Sequence, residues 1–125
     1  MESIAESVNG AVQVCHLAAA KNGWWNDLKT GEDLCGSRNV GEMLCLVHSE
    51  ISEAMEGHRR GLSDDKLPHR TMFEVELADA VIRIFDIAGA HGLDLGGAID
   101  EKLEYNASRA DHKRENRLLS DGKKY

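Results

Sequence analysis

Two segments of this chain repeat their apolar residues at i, i+3, i+4 and i+7, and each carries a pair of acids beside its apolar stripe. The first stripe is Val40, Met43, Leu44, Val47, Ile51, Ala54 and Met55; the second is Phe73, Leu77, Ala80, Val81, Ile84, Ile87 and Ala88. That period is the mark of an amphipathic helix. Glu50 and Glu53 lie in the first segment and Glu76 and Asp79 in the second, each pair at i, i+3 and so on one helical face. At roughly 100° per residue, Glu50 and Glu76 each lie about 80° from the centre of their own stripe, with Glu53 and Asp79 about 60° further round. Antiparallel packing of the two apolar faces therefore brings four carboxylates to one edge of the contact.

An isolated E-x-x-E on a helix is ordinarily a solvated face. Here the acids border the core instead of opposing it, and the geometry is duplicated. Like charges ~4 Å apart repel by ~1 kcal/mol in water and by ~4 kcal/mol at an effective dielectric of about 20. The quartet therefore either splays into water or holds a cation. Ligands that are all oxygen favour Mg²⁺, or Mn²⁺, over zinc.

The rest of the chain points to an all-α fold, a four-helix bundle-like single domain over residues 1–125. One Pro and many Ala, Leu, Glu and Arg residues suit helices, and the glycines fall mostly between periodic segments. The spacing predicts a first helix over 2–22, with Ile4, Val8, Val12, Cys15 and Ala19 on one face and His16 partly exposed beside it. A second helix runs from about Asn39 to Arg60, with Asn39 and Glu42 in a capping pattern and Gly61 as the stop. A third runs from about Thr71 to His91, with Thr71 and Glu74 capping and Gly92 ending it. Asp94 caps a fourth over about 95–112, and the polar tail 114–125 reads as irregular.

Along the third helix Arg83 lies one turn beyond Asp79, and Asp86 one turn further. Arg83 reads as an ion-pair partner for the acids or as a phosphate contact, with the structural role favoured. In the fourth helix Lys102, Asn106, Arg109 and Lys113 follow i, i+4, i+7 and i+11, a single face of three cations and an amide. Such faces are usually solvated. That it lies on an acidic protein already offering a candidate metal site raises the odds of phosphate binding here.

The connection over 22–38 is longer than most helix–helix loops and holds Trp24 and Trp25, the only tryptophans. Two adjacent indoles cannot both enter one core from a regular helix. Either one packs under the bundle and the other caps an interface, or the pair forms a stacking wall for a nucleobase.

A net charge of −7 argues against a nucleic-acid polymer or an anionic membrane as the main partner. Cys15, Cys35 and Cys45 are odd in number and lack C-x-x-C spacing, which fits a reducing cytoplasm better than a disulfide framework. The start of the chain is acidic with no apolar run, so no secretory signal and no membrane span are expected. There is no Walker-type loop, no dinucleotide fingerprint and no G-x-S-x-G, and Asp111-His112 runs in the reverse order from a His–Asp hydrolase pair.

Taken together, Glu50-x-x-Glu53, Glu76-x-x-Asp79 and the later Lys102-x-x-x-Asn106-x-x-Arg109 resemble the MazG-like all-α nucleoside triphosphate pyrophosphohydrolases. The likeness covers roughly residues 10–113, and Lys21-Asn22-Gly23-Trp24-Trp25 is similar to small single-domain members from phages and mobile elements. The resemblance implies cleavage between the α- and β-phosphates of a nucleoside triphosphate, giving monophosphate and pyrophosphate. It implies Mg²⁺ on Glu50, Glu53, Glu76 and Asp79, phosphate on Lys102, Asn106 and Arg109, and assembly into a dimer or tetramer. Glu53 is the expected general base, and Trp24 or Trp25 would hold the nucleobase. One departure is Ser49, where the family motif often has a further glutamate. Other readings are a dUTPase-like or phosphoribosyl-nucleotide pyrophosphohydrolase, and a non-catalytic helical interaction module.

Overall fold

Each of the four long helices starts at a polar side chain that takes up a backbone N–H left free by the first turn. In the computed structural model, which describes residues 2–125, these are α1 (Ile4–Lys21), α2 (Val40–Arg60), α3 (Met72–Ala90) and α4 (Leu95–Ser108). Ser3 and Glu6 bond reciprocally at the start of α1, as Thr71 and Glu74 do at the start of α3. Asn39 accepts from the Glu42 N–H and Asp94 from the Gly97 N–H. At the other ends, Gly61 and Gly92 take the left-handed φ values of 60° and 63° that most residues avoid. The all-helical expectation holds: the described residues form no strand, only the isolated bridges Asn26–Asp33 and Ser63–Thr71 in loops.

Two compact units divide the chain: residues 2–9 with Asp94–Tyr125, and Gly10–Leu93. In the larger unit α2 packs against α3. Gly57 is buried there, and a Cβ on it would lie 2.7 Å from Met72 Cγ. Ala54 and Ala80 are buried, as are Ala88 on α3 and Val12 on α1. The larger residues of both stripes, Leu44, Ile51, Met55, Phe73, Leu77, Val81 and Ile84, stay exposed. Small residues thus hold the best-covered positions of these two helices, while the bulky members of both stripes keep part of their surface in solvent.

The part of α1 from Gly10 onward is held in this unit through α3. A Cβ on Gly89 would meet His16 Cβ at 2.5 Å, so the two helices touch there without room for a side chain. His16 Nδ1 lies 2.9 Å from Asp86 Oδ1, and the pair is largely buried. His16 is partly exposed as expected, but the expectation that it is otherwise unremarkable is corrected by its bond to Asp86. That expectation arose because the partner, Asp86, is seventy residues away in sequence.

In the smaller unit Asn9 clasps the start of α4, accepting from the Gly96 N–H and donating to Asp94 Oδ1, both at 2.8 Å. Helix α4 ends at Ser108, four residues short of the expected 112. Ser108 Oγ donates to the Tyr105 carbonyl, and the Arg109 guanidinium takes both oxygens of Asp111. Such local side-chain bonds compete with the helical ladder. Arg109 itself is extended, at φ −71° and ψ 129°. Lys113 therefore does not continue the predicted basic face. The tail also departs from expectation: after a 3₁₀ turn over Ala110–His112, a one-turn helix α5 (Arg114–Arg117) forms.

Candidate metal centre

Glu50 on α2 and Glu76 and Asp79 on α3 each offer a carboxylate oxygen, and the three oxygens lie within 4.8 Å of one another. A cation about 2.0–2.6 Å from each ligand separates bound oxygens by no more than about 4–5 Å, so the spacing suits one ion. Glu76 is the inner member, only 9 % exposed, and its Oε2 is buried with no hydrogen-bond partner. A buried carboxylate oxygen normally has a partner, and an orphan calls for an explanation. The neighbouring Glu50 carboxyl, burial, and the charges of Glu53, Glu50 and Asp79 push the Glu76 carboxyl up to about 8. Burial and the Glu50 charge also raise Asp79, opposed by Arg83.

Glu53, the fourth expected ligand, does not join the converging three. Its side chain is exposed, although its charge still reaches Glu76. Arg83 takes the structural role: its Nε donates to Glu50 Oε1 at 3.2 Å. That guanidinium supplies one positive charge to the outer side of the cluster, which leaves the inner oxygens uncompensated.

Sequence reading missed Asp64, which is 6 % exposed in the loop before α3. Its Oδ2 accepts from the backbone of Lys66 and Leu67, and its charge raises the Asp79 carboxyl. An Asp two and three residues ahead of free N–H groups, in a loop before Pro68, is an Asx-turn signal that was there to be read.

The tryptophans part company. Trp25 is 2 % exposed; its indole N–H donates to Asp86 Oδ1 at 2.8 Å, His16 meets it edge-on and Arg38 lies over the ring. A ring so enclosed has no face for a base, so the stacking role expected for Trp25 is corrected. Trp24, at 66 % exposed, keeps an open ring.

The predicted phosphate residues lie in the smaller unit. Lys102 Nζ sits 4.7 Å from the Tyr105 ring centroid and Arg109 Cζ 5.8 Å from it, so both cations gather about one aromatic side chain. Arg109 is also held by Asp111, and Asn106 Oδ1 is buried without a partner.

Comparison with protein-family models, with curated proteins and with solved structures finds no match. No helix among the described residues is long and apolar enough to cross a membrane.

Proposed function

We propose that this protein is a metal-dependent nucleoside triphosphate pyrophosphohydrolase that cleaves between the α- and β-phosphates. The observation that carries the reading is Glu76: a buried, unpartnered carboxylate oxygen set beside Glu50 and Asp79 at ligand spacing. The donor set is all carboxylate, which fits Mg²⁺ or Mn²⁺. When bound, such a cation neutralises polyphosphate charge and acidifies water.

The chain's own residues divide the remaining work. Glu50, Glu76 and Asp79 hold the cation. Glu53 lies outside the converging three and so is the carboxylate left free to take a proton from the attacking water. Arg83 holds Glu50 in place through its 3.2 Å bond. Lys102 and Arg109 are proposed to meet phosphate charge, and Trp24, with its open ring, to stack on the base. Trp25 and Asp86 instead tie down the loop that carries Trp24.

Self-assembly belongs to the same proposal, as a bundle-like dimer or tetramer of this chain. The exposed apolar residues Leu44, Ile51 and Met55 on α2 and Phe73, Leu77, Val81 and Ile84 on α3 support it, since a large exposed apolar area marks a contact surface.

The deciding experiment is pyrophosphate release from a panel of nucleoside triphosphates, with and without Mg²⁺. Release of pyrophosphate and monophosphate, abolished by EDTA, is expected. Release of single orthophosphates, or no turnover of any member, would favour the other readings. A dUTP-restricted profile would select the dUTPase-like alternative.

A further inference from the structure

Residues 113–125 carry five Lys and Arg against two acids, in a chain whose net charge is −7. In the structure this segment is folded back on itself. Arg117 donates from Nε to the Lys123 carbonyl at 3.1 Å and from Nη2 to the Lys124 carbonyl at 3.2 Å. Lys124 Nζ answers in the other direction, donating to the carbonyls of Arg117 and Leu119 at 2.6 and 2.8 Å. Gly122 makes the fold-back possible, because a Cβ there would lie 2.3 Å from the Asn116 carbonyl oxygen.

The clasp borders an open concavity of about 450 Å³ lined by Arg114, Arg117, Leu118, Lys123 and Lys124. Carbonyls are neutral, so the bonds that position Arg117 and Lys124 leave their positive charges uncompensated. Arg114 has no ion pair or side-chain hydrogen bond among the described residues. Lys123 is paired with Asp111 at 2.9 Å, but that carboxylate is shared with Arg109. Each cation keeps spare donors, since Arg has five N–H groups and Lys three. The lining holds no carboxylate to balance the charge and no aromatic ring to stack a base.

We propose that this C-terminal clasp is an anion site for the phosphate chain of an inorganic or organic oligophosphate. Guanidinium forks match phosphate oxygens two at a time, and Lys adds point charge. Several cations on one rim suit an anion with several linked charges better than a single carboxylate. The site shares no residue with the acidic cluster and does not rest on the hydrolase reading.

The test is calorimetry with inorganic tripolyphosphate in EDTA, where the acidic cluster has no cation. One site per chain is expected. Arg114→Gln, which removes a charge outside the clasp's own bonds, should weaken binding about tenfold, the size of one charge-assisted contact. Gly122→Ala, which opens the clasp, should weaken it as well. Arg59→Gln, an equal loss of charge on α2, should leave it unchanged. The proposal is overturned by a wild type that does not bind tripolyphosphate. Equal weakening by Arg59→Gln and Arg114→Gln, or tighter binding of a single-stranded oligonucleotide than of tripolyphosphate, would overturn it too.

Discussion

The indole N–H of Trp25 donates to Oδ1 of Asp86 at 2.8 Å, which fixes the loop between α1 and α2 to the inner side of α3. The same oxygen meets His16, so one carboxylate joins three parts of the larger unit. Asp86→Ala leaves two polar partners in a largely buried place, and unsatisfied groups there cost about 1–3 kcal/mol each. We expect a loss of about 2–4 kcal/mol in urea unfolding for Asp86→Ala, and about 1–2 kcal/mol for Trp25→Phe, which removes one donor. If the two variants unfold at the wild-type midpoint, the loop is not anchored through this bond.

Stability of the metal-free protein should fall with rising pH. Glu76 titrates near 8 in the folded chain, against its ordinary value of 4.5. Between those values the native state binds a proton that the unfolded chain has released. Its contribution is complete below about 4.5, shrinks as pH rises through about 8, and is absent above that. In EDTA, Tm should therefore be lower at about pH 8.5 than at about pH 6, and Glu76→Gln should remove much of that difference. Mg²⁺ affinity should run the other way, rising toward pH 8 as the proton leaves. A Glu76→Gln melting profile that parallels the wild type would assign the slope elsewhere.

The proposed ligand and base roles are separable by substitution. Glu50→Gln and Asp79→Asn should each lower both Mg²⁺ affinity and turnover, by on the order of 100-fold or more in turnover. Glu53→Gln should leave Mg²⁺ affinity near wild type while lowering kcat by about 10²–10⁴. Circular dichroism should show all three still helical. Loss of Mg²⁺ binding in Glu53→Gln would return that residue to the ligand set.

The phosphate role proposed for Lys102 has its own test. Lys102→Ala should weaken nucleoside triphosphate binding by roughly tenfold with Mg²⁺ present, the size of one charge-assisted contact. The parent nucleoside, which has no phosphate, should be affected far less. Equal losses for both ligands would mean that Lys102 acts through Tyr105 packing instead.

Light scattering at micromolar concentration should report at least twice the 13.8 kDa chain mass. Met55→Glu places a charge among the exposed apolar residues of α2 and α3 and should shift the mass toward the single chain. A wild type that is monomeric and still turns over nucleotide would show that these residues are not an assembly surface.

The helices were legible because their signals are local. Apolar period, and caps such as Thr71 with Glu74, act within a few residues, so they specify α2 and α3 nearly to the residue. The acidic pairs were legible for the same reason, since an i, i+3 spacing sets a face before any packing occurs. Which acids converge was decided by tertiary structure. Glu53 and Asp79 lie at matched angles on their helices, yet Asp79 joins Glu50 and Glu76 while Glu53 stays exposed, because side-chain reach depends on how two helices cross. The burial of Ala54 and Ala80 beside larger residues that stay exposed was equally beyond the one-dimensional pattern: a stripe says which face is apolar, not which members of it are covered. The same holds for Trp25, whose buried role rests on Asp86, sixty-one residues away. Sequence by itself determined α2, α3 and the faces on which their acids lie; long-range packing alone decided which of those groups meet, because contact between distant residues has no period to read.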